Sequence, residues 1–264
     1  MQTAKGMKQE IFAARATTGQ RAKGHDPIAN PSLTRIGAVA ALVGAVVFLS
    51  STLLHPSSSA PNDLAAAFAE YAGSPWWVAI HLGQFAGVAM MGTALVALAA
   101  TLEMGRPAAW GRIGLTGALL SMAVYAANQA VDGVSNHVMV HRLAAASAET
   151  RPLVFEAAFA VRQIEVGLTS YFSLVFGVTL GIFGLAMLFS SCYPNWLAIV
   201  GLLAGLGTML IGMEQAAHGF SDLALNLFMV MGLVDLAWVA LSGVFMWRLA
   251  PRLSAAGDAT WHPW

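Results

Sequence analysis

Apolar runs long enough to cross a lipid bilayer recur along this chain, and no other feature narrows its fold as far. Residues 36–54 read IGAVAALVGAVVFLSSTLL, without one charged side chain. A helix that crosses the hydrocarbon core needs roughly 20 such residues. Setting the apolar runs against the Gly, Pro and charged breakers gives six helices, at about 33–54, 76–101, 111–145, 153–190, 195–215 and 223–249. Composition agrees: the chain is 58% hydrophobic and 10% charged, where a soluble domain carries about 25% charged residues. The expected fold is all-α, a polytopic six-helix transmembrane bundle.

The third and fourth helices exceed what a bilayer requires. A helix of about 35 residues is roughly 50 Å long, against a hydrocarbon core of about 30 Å. They are expected to project as a helical hairpin, with Pro152 in the first turn of the second arm. Between the first two spans, PNDLAAAFAEYAGSP offers Asn62 or Asp63 as a cap for a short interfacial helix. Residues 1–32 form an expected flexible cytoplasmic tail, 33–249 the transmembrane domain and 250–264 a cytoplasmic C-terminal tail. A cleaved signal peptide would place a shorter apolar stretch nearer the start, so the run from Ile36 to Leu54 is expected to stay as a span, although the small residues Ser57, Ser58, Ser59 and Ala60 that follow it also suit a cleavage site.

Orientation follows from the basic residues. The N-terminal tail, the loop with Arg106 and Arg112, and the end with Arg248 and Arg252 hold most of them, whereas 55–75 and 215–225 hold none. The positive-inside rule then gives N-in, C-in, in a bacterial inner membrane. In that topology His55, His81, Gln84, Asn128, Asp132, Arg162, Glu165, Glu214 and His218 fall in the outer half of the bundle, and Asp235 nearer its middle. Ionisable residues in a span cost roughly 2.5–3.5 kcal/mol on insertion scales, so they face the bundle interior or a watery cavity. On the fourth helix Arg162, Glu165, Thr169 and Ser173 share a stripe, as do His81, Gln84, Val88 and Met91 on the second. An outward pocket lined by His81, Gln84, Asn128, Asp132, Arg162, Glu165 and Asp235 is expected, with Arg162 paired to Glu165, Asp132 or both. One arginine against three carboxylates leaves negative charge for a proton, a cation or a basic ligand to neutralise.

The stretch NQAVDGVSNHVMVH, 128–141, divides in two. At about 100° per residue Asn128 and Asp132 share one face and His137 and His141 another, unless Gly133 kinks the helix. His137-x-x-x-His141 has the spacing with which two imidazoles hold a metal ion, without the glutamate of HExxH, since Val138 stands there. His55, His137, His141 and His218 are thus candidate metal ligands. Two histidines on facing helices also suit a b-type haem, with His81 opposite His55 or His218. Ser51-x-x-x-His55, Asp132 and the His137/His141 pair resemble the Ser, Asp and three-His zinc sites of alkaline ceramidases, which differ in having seven spans with the HxxxH motif at the last. In helix count alone the chain is similar to ascorbate-dependent transmembrane cytochrome b reductases.

Several activities are excluded. Zero formal net charge argues against nucleic acid, and a lone Cys192 rules out four-cysteine metal sites within the chain. No lysine follows Lys23, so no retinal Schiff base can form in a span, and no Walker-type phosphate loop is present. Trp76, Trp77, Trp110, Trp196 and Trp247 near span ends read as interfacial anchors.

LLHP at 53–56, HLGQFAG at 81–87, QAVDG at 129–133 and AVRQIEVGLTSYF at 160–172 together resemble an uncharacterised family of bacterial multi-pass membrane proteins of the domain-of-unknown-function type. The resemblance implies a fold over about 33–249 and no activity. The functional expectation is therefore a membrane protein that binds a small ligand, proton or cation in transport or sensing, without a cofactor. The alternative is a haem- or zinc-dependent membrane enzyme, an oxidoreductase or hydrolase.

Overall fold

A computed structural model describes residues 30–60, 63–102 and 104–258, with side chains as far as Leu253. Among these residues every regular element is helical. In chain order they are α1 (Pro31–Leu53), α2 (Leu64–Ala72), α3 (Trp77–Thr101), α4 (Arg106–Gln129), a π-helical segment (Ala130–Asn136), α5 (His137–Ala145), α6 (Arg151–Leu188), α7 (Asn195–His218) and α8 (Asp222–Asp258).

Local chemistry sets the ends. Asn30 caps α1, its side-chain oxygen accepting from the Ser32 and Leu33 amides at 2.9 and 3.3 Å, with Pro31 in the first turn where no hydrogen bond is lost. Asp63 caps α2 by accepting from Ala66 N at 3.1 Å, so the short helix forms where the sequence places it. Asn62 and most of the N-terminal tail lie outside the described residues. The last helix does not stop at 249: it runs through Pro251 to Asp258.

Among the described residues five helices are long and apolar enough to cross a membrane: Pro31–Leu53, Trp77–Thr101, Arg151–Leu188, Asn195–His218 and Asp222–Leu253. The expected third span is not among them. Its helix, α4, has the length, 24 residues, but is rich in Gly, Ala, Ser and Thr. It packs instead against α6 and α3. The small residues it carries permit that closeness.

Two apolar cores result. The larger runs through the bundle and includes Leu95, Leu98, Leu180, Phe183, Met187, Leu197 and Trp238. Its tightest seam joins α6 to α7: a Cβ on Gly177 would sit 2.6 Å from the Gly205 carbonyl, so the two backbones touch where only glycine fits. The smaller core lies at the end of the bundle where α2 covers α5 and the start of α6, through Phe68, Tyr71, Trp77, Val140, Leu143 and Ala158. The hairpin expected from the lengths of the third and fourth helices is thus roofed by α2. That roof closes over the polar residues.

Candidate metal centre and polar cluster

Three elements distant in sequence bring His55, His81 and Asp132 together. His55 follows the end of α1, His81 lies one turn into α3, and Asp132 lies in the π-helical segment. One ligand atom from each falls within 4.8 Å of the others. His81 is buried and the other two are partly buried.

Each imidazole is oriented by its own backbone. His55 Nδ1 lies 2.8 Å from the Pro56 carbonyl and His81 Nδ1 2.7 Å from the Trp77 carbonyl. A carbonyl oxygen only accepts, so each Nδ1 carries a proton, and in the neutral ring each Nε2 presents a lone pair. His81 Nε2 stands 3.1 Å from Asp132 Oδ2, off the line of a hydrogen bond, and has no other partner among the described residues. Two acceptor atoms at that distance repel unless a cation, proton or metal, lies between or beside them. A histidine whose second nitrogen is tied to a backbone carbonyl is also the usual form of a metal ligand. Burial lowers the His55 imidazole below its ordinary pKa, which favours the neutral, metal-binding form.

Aromatic rings fix the site. Trp77 packs on His81 at a ring-centroid distance of 4.4 Å and on His55 at 5.1 Å, and its indole donates to the Asp132 carbonyl at 3.2 Å. The expectation that Trp77 is an interfacial anchor is therefore corrected: it is 1% exposed, whereas its neighbour Trp76 is 70% exposed. Gly133 allows α3 to approach, since a Cβ there would lie 2.7 Å from His81 Cβ.

Behind the triad stands an ion pair. Arg162 Nη1 donates to both Glu165 oxygens, at 2.6 and 2.7 Å, and Nη2 to the Tyr71 hydroxyl at 3.3 Å. The guanidinium also lies over the Phe220 ring at 4.6 Å. Asn136 joins the two halves by donating to Glu165 Oε2 and, at 3.5 Å, to Asp132 Oδ1. Of the two expected partners Arg162 takes Glu165, and Asp132 takes His81. Two carboxylates and one guanidinium leave one formal negative charge, and Asp132 turns an oxygen toward His81 Nε2.

The remaining expected residues disperse. Asn128 accepts from Thr169 at 3.1 Å and Gln84 donates to Thr52 at 3.3 Å, each close to the cluster in sequence but engaged elsewhere. Asp235 bonds to Thr208 on α7, apart from the others. Of the four histidines read from the sequence as candidate metal ligands, His55 falls in the group with His81 and Asp132 and the other three do not. His137 and His141 stack on each other at 4.4 Å, and His218 pairs with Glu214 at 2.9 Å. None of these three falls in the group that His55 forms. His81 and Asp132, assigned by sequence to a ligand pocket, are the donors that do join it. Asn136 and Tyr71 were not singled out from the sequence. For Asn136 the spacing Asn128, Asp132, Asn136 was an available signal, whereas nothing local pointed to Tyr71.

Compared with family models, with curated proteins and with solved structures, the chain matches none of them.

Proposed function

We propose that this is a multi-pass membrane protein that binds a divalent transition-metal ion through His55 Nε2, His81 Nε2 and one Asp132 carboxylate oxygen. One observation carries the reading: three donor atoms from separate elements within 4.8 Å of one another, with both imidazole Nδ1–H groups already spent on backbone carbonyls. Two imidazoles and a carboxylate suit zinc or ferrous iron, and three protein ligands leave a coordination position open. A haem fits less well, since the two rings lie 5.2 Å apart at 66° with a carboxylate beside them, which leaves no slot for a macrocycle.

The proposal includes the topology. We take α4 with the π segment as a sixth span, buried among its neighbours, in an N-in, C-in bundle of a bacterial inner membrane. The metal site then lies in the outer half, under the α2 roof. Membership of the uncharacterised bacterial family that its motifs resemble belongs to the same proposal. A second reading, a metal-dependent membrane enzyme, is favoured by the open coordination position, where a water or substrate oxygen would sit.

Elemental analysis of detergent-purified protein tests this first. The expected result is about one zinc or iron per chain, lost in His81→Gln and Asp132→Asn and kept in His218→Ala and in His137→Ala/His141→Ala. At metal concentrations about 100-fold above Kd, unfolding should become harder by about 2.7 kcal/mol in wild type and in the variants that keep the metal, and not in His81→Gln or Asp132→Asn. Folded wild type that carries no metal and gains no stability from zinc, iron or manganese ends the proposal. Uptake of labelled zinc into proteoliposomes separates transport from a resident metal.

A further inference from the structure

The six long helices enclose a second space that the metal centre does not use. It is a cavity of about 100 Å³ lined by residues from all six, among them the phenyl rings of Phe48, Phe172, Phe176 and Phe228. Its ionisable member is Asp235, 7% exposed. Asp235 Oδ2 accepts from the Thr208 hydroxyl at 2.8 Å, while Oδ1 is buried with no partner among the described residues. No Lys, Arg or His lines the space.

That combination selects by charge. A buried carboxylate with an unpaired oxygen is costly in an apolar surround, and a positive ligand offsets the cost. Aromatic faces attract cations as well. The lining contains four phenyl rings, Phe172 and Phe176 stacked on each other at 5.4 Å, and no competing positive group. The two exposed lining residues, Met229 at 45% and Leu233 at 53%, both belong to α8, so the cavity opens along that helix onto the apolar exterior of the bundle. Size limits what fits: a cavity of about 150 Å³ holds benzene, so this one admits a head group of a few heavy atoms. The rest of any larger ligand must lie in the opening.

We propose that the chamber binds a lipophilic ammonium compound, its small tertiary or quaternary head beside Asp235 Oδ1 and its alkyl chain leaving past Met229 and Leu233 into the bilayer. The inference is independent of the metal centre.

The test uses labelled decyltrimethylammonium and the full chain in dodecyl maltoside, by equilibrium dialysis against protein-free micelles. Expected is saturable binding of about one molecule per chain. Affinity should be at least about tenfold weaker in Asp235→Asn, and decanol at equal concentration should not displace the labelled compound. No saturable binding above empty micelles overturns the proposal, as does unchanged affinity in folded Asp235→Asn. Should that variant fail to fold, the decanol competition on wild type decides: equal displacement by the alcohol means that the chamber takes up apolar chains without regard to charge, which overturns it.

Discussion

The substitution Gly133→Ala isolates the contact on which the proposed metal centre depends. The added methyl carbon would lie 2.7 Å from His81 Cβ and 3.1 Å from His81 Cγ, well inside van der Waals contact. His81 cannot turn away without cost. Its ring is held by the Nδ1 bond to the Trp77 carbonyl at 2.7 Å and packed by Trp77 at 4.4 Å. The clash falls on atoms next to the α3 backbone, so either α3 or the π segment must shift. Overpacking of this kind costs about 1–3 kcal/mol. The helix-propensity gain of Gly→Ala, about 0.5–1 kcal/mol, offsets only part of it. A shift of a few tenths of an ångström at His81 also spoils ligand geometry, for which a loss of about 10–100-fold in metal affinity is the usual scale. Gly167→Ala on α6 is the control, because nothing beyond its own helical turns lies within 4 Å of the place its methyl carbon would take; it should be neutral or slightly stabilising. Thermal unfolding in detergent and zinc titration of both variants read the two effects. A Gly133→Ala protein with wild-type stability and wild-type metal affinity would refute the argument that α3 and the π segment are in rigid contact at His81.

Three further outcomes are expected. Glu165→Gln strands the Arg162 guanidinium, which is 7% exposed, and should cost about 3–5 kcal/mol, whereas Arg162→Met with Glu165→Met should cost less than the single change; equal or additive losses in chemical denaturation would contradict an isolated buried pair. Glu70, although burial pushes its carboxyl up, is held below the usual carboxylate range by the amides of Ser58 and Ser59, both at 2.8 Å. A lowered pKa contributes stability that is full at neutral pH and lost as pH falls through the lowered value, so the protection of the Ser58 and Ser59 amides against hydrogen exchange, relative to unstructured amides at the same pH, should be full near pH 7 and lost only under stronger acid than a free glutamate requires. Glu70→Gln should exchange faster at neutral pH, and the difference should vanish in acid. Trp77→Phe removes the indole donor to the Asp132 carbonyl and should cost about 0.5–1.5 kcal/mol, with weaker zinc binding; unchanged zinc affinity would show that Asp132 is positioned without it.

What the sequence discloses about this fold is what repeats with a period or stops at a breaker. Five apolar helices are legible because lipid demands uninterrupted length, and their ends because Pro31, Gly105, Pro194 and Gly219 punctuate them; Gly105 and Gly219 adopt positive φ, 91° and 69°. Arg162 and Glu165 are legible as partners because three residues apart on a helix are neighbours. The grouping of His55 with His81 and Asp132 was not legible, for the complementary reason. Motif spacing rewards histidines close in sequence, such as His137 and His141, while His55, His81 and Asp132 are joined only by the packing of α1, α3 and the π segment. Trp77 was misread because position alone made it equivalent to Trp76, and burial, which separates them, is a property of α2 closing over it.

The π segment explains why the helix carrying Asp132 does more than its α-helical spacing allows. In a regular α-helix, Asn128, Asp132 and Asn136 drift by about 40° at each step of four residues, so the three point progressively apart. A π-helical turn, with i→i+5 bonds, is wider and changes that drift over Ala130–Asn136. The result is seen in the partners: Asn128 meets Thr169, Asp132 meets His81, and Asn136 meets Glu165, which is one α6 turn from Thr169. The same widening separates the polar face from His137 and His141, which begin α5 on a new register. Such segments are frequent at functional sites, and no residue type announces them. Here the segment coincides with the aspartate that meets His81 Nε2 at 3.1 Å, so the cost of breaking α-helical bonding and the need to aim Asp132 at His81 fall on the same seven residues.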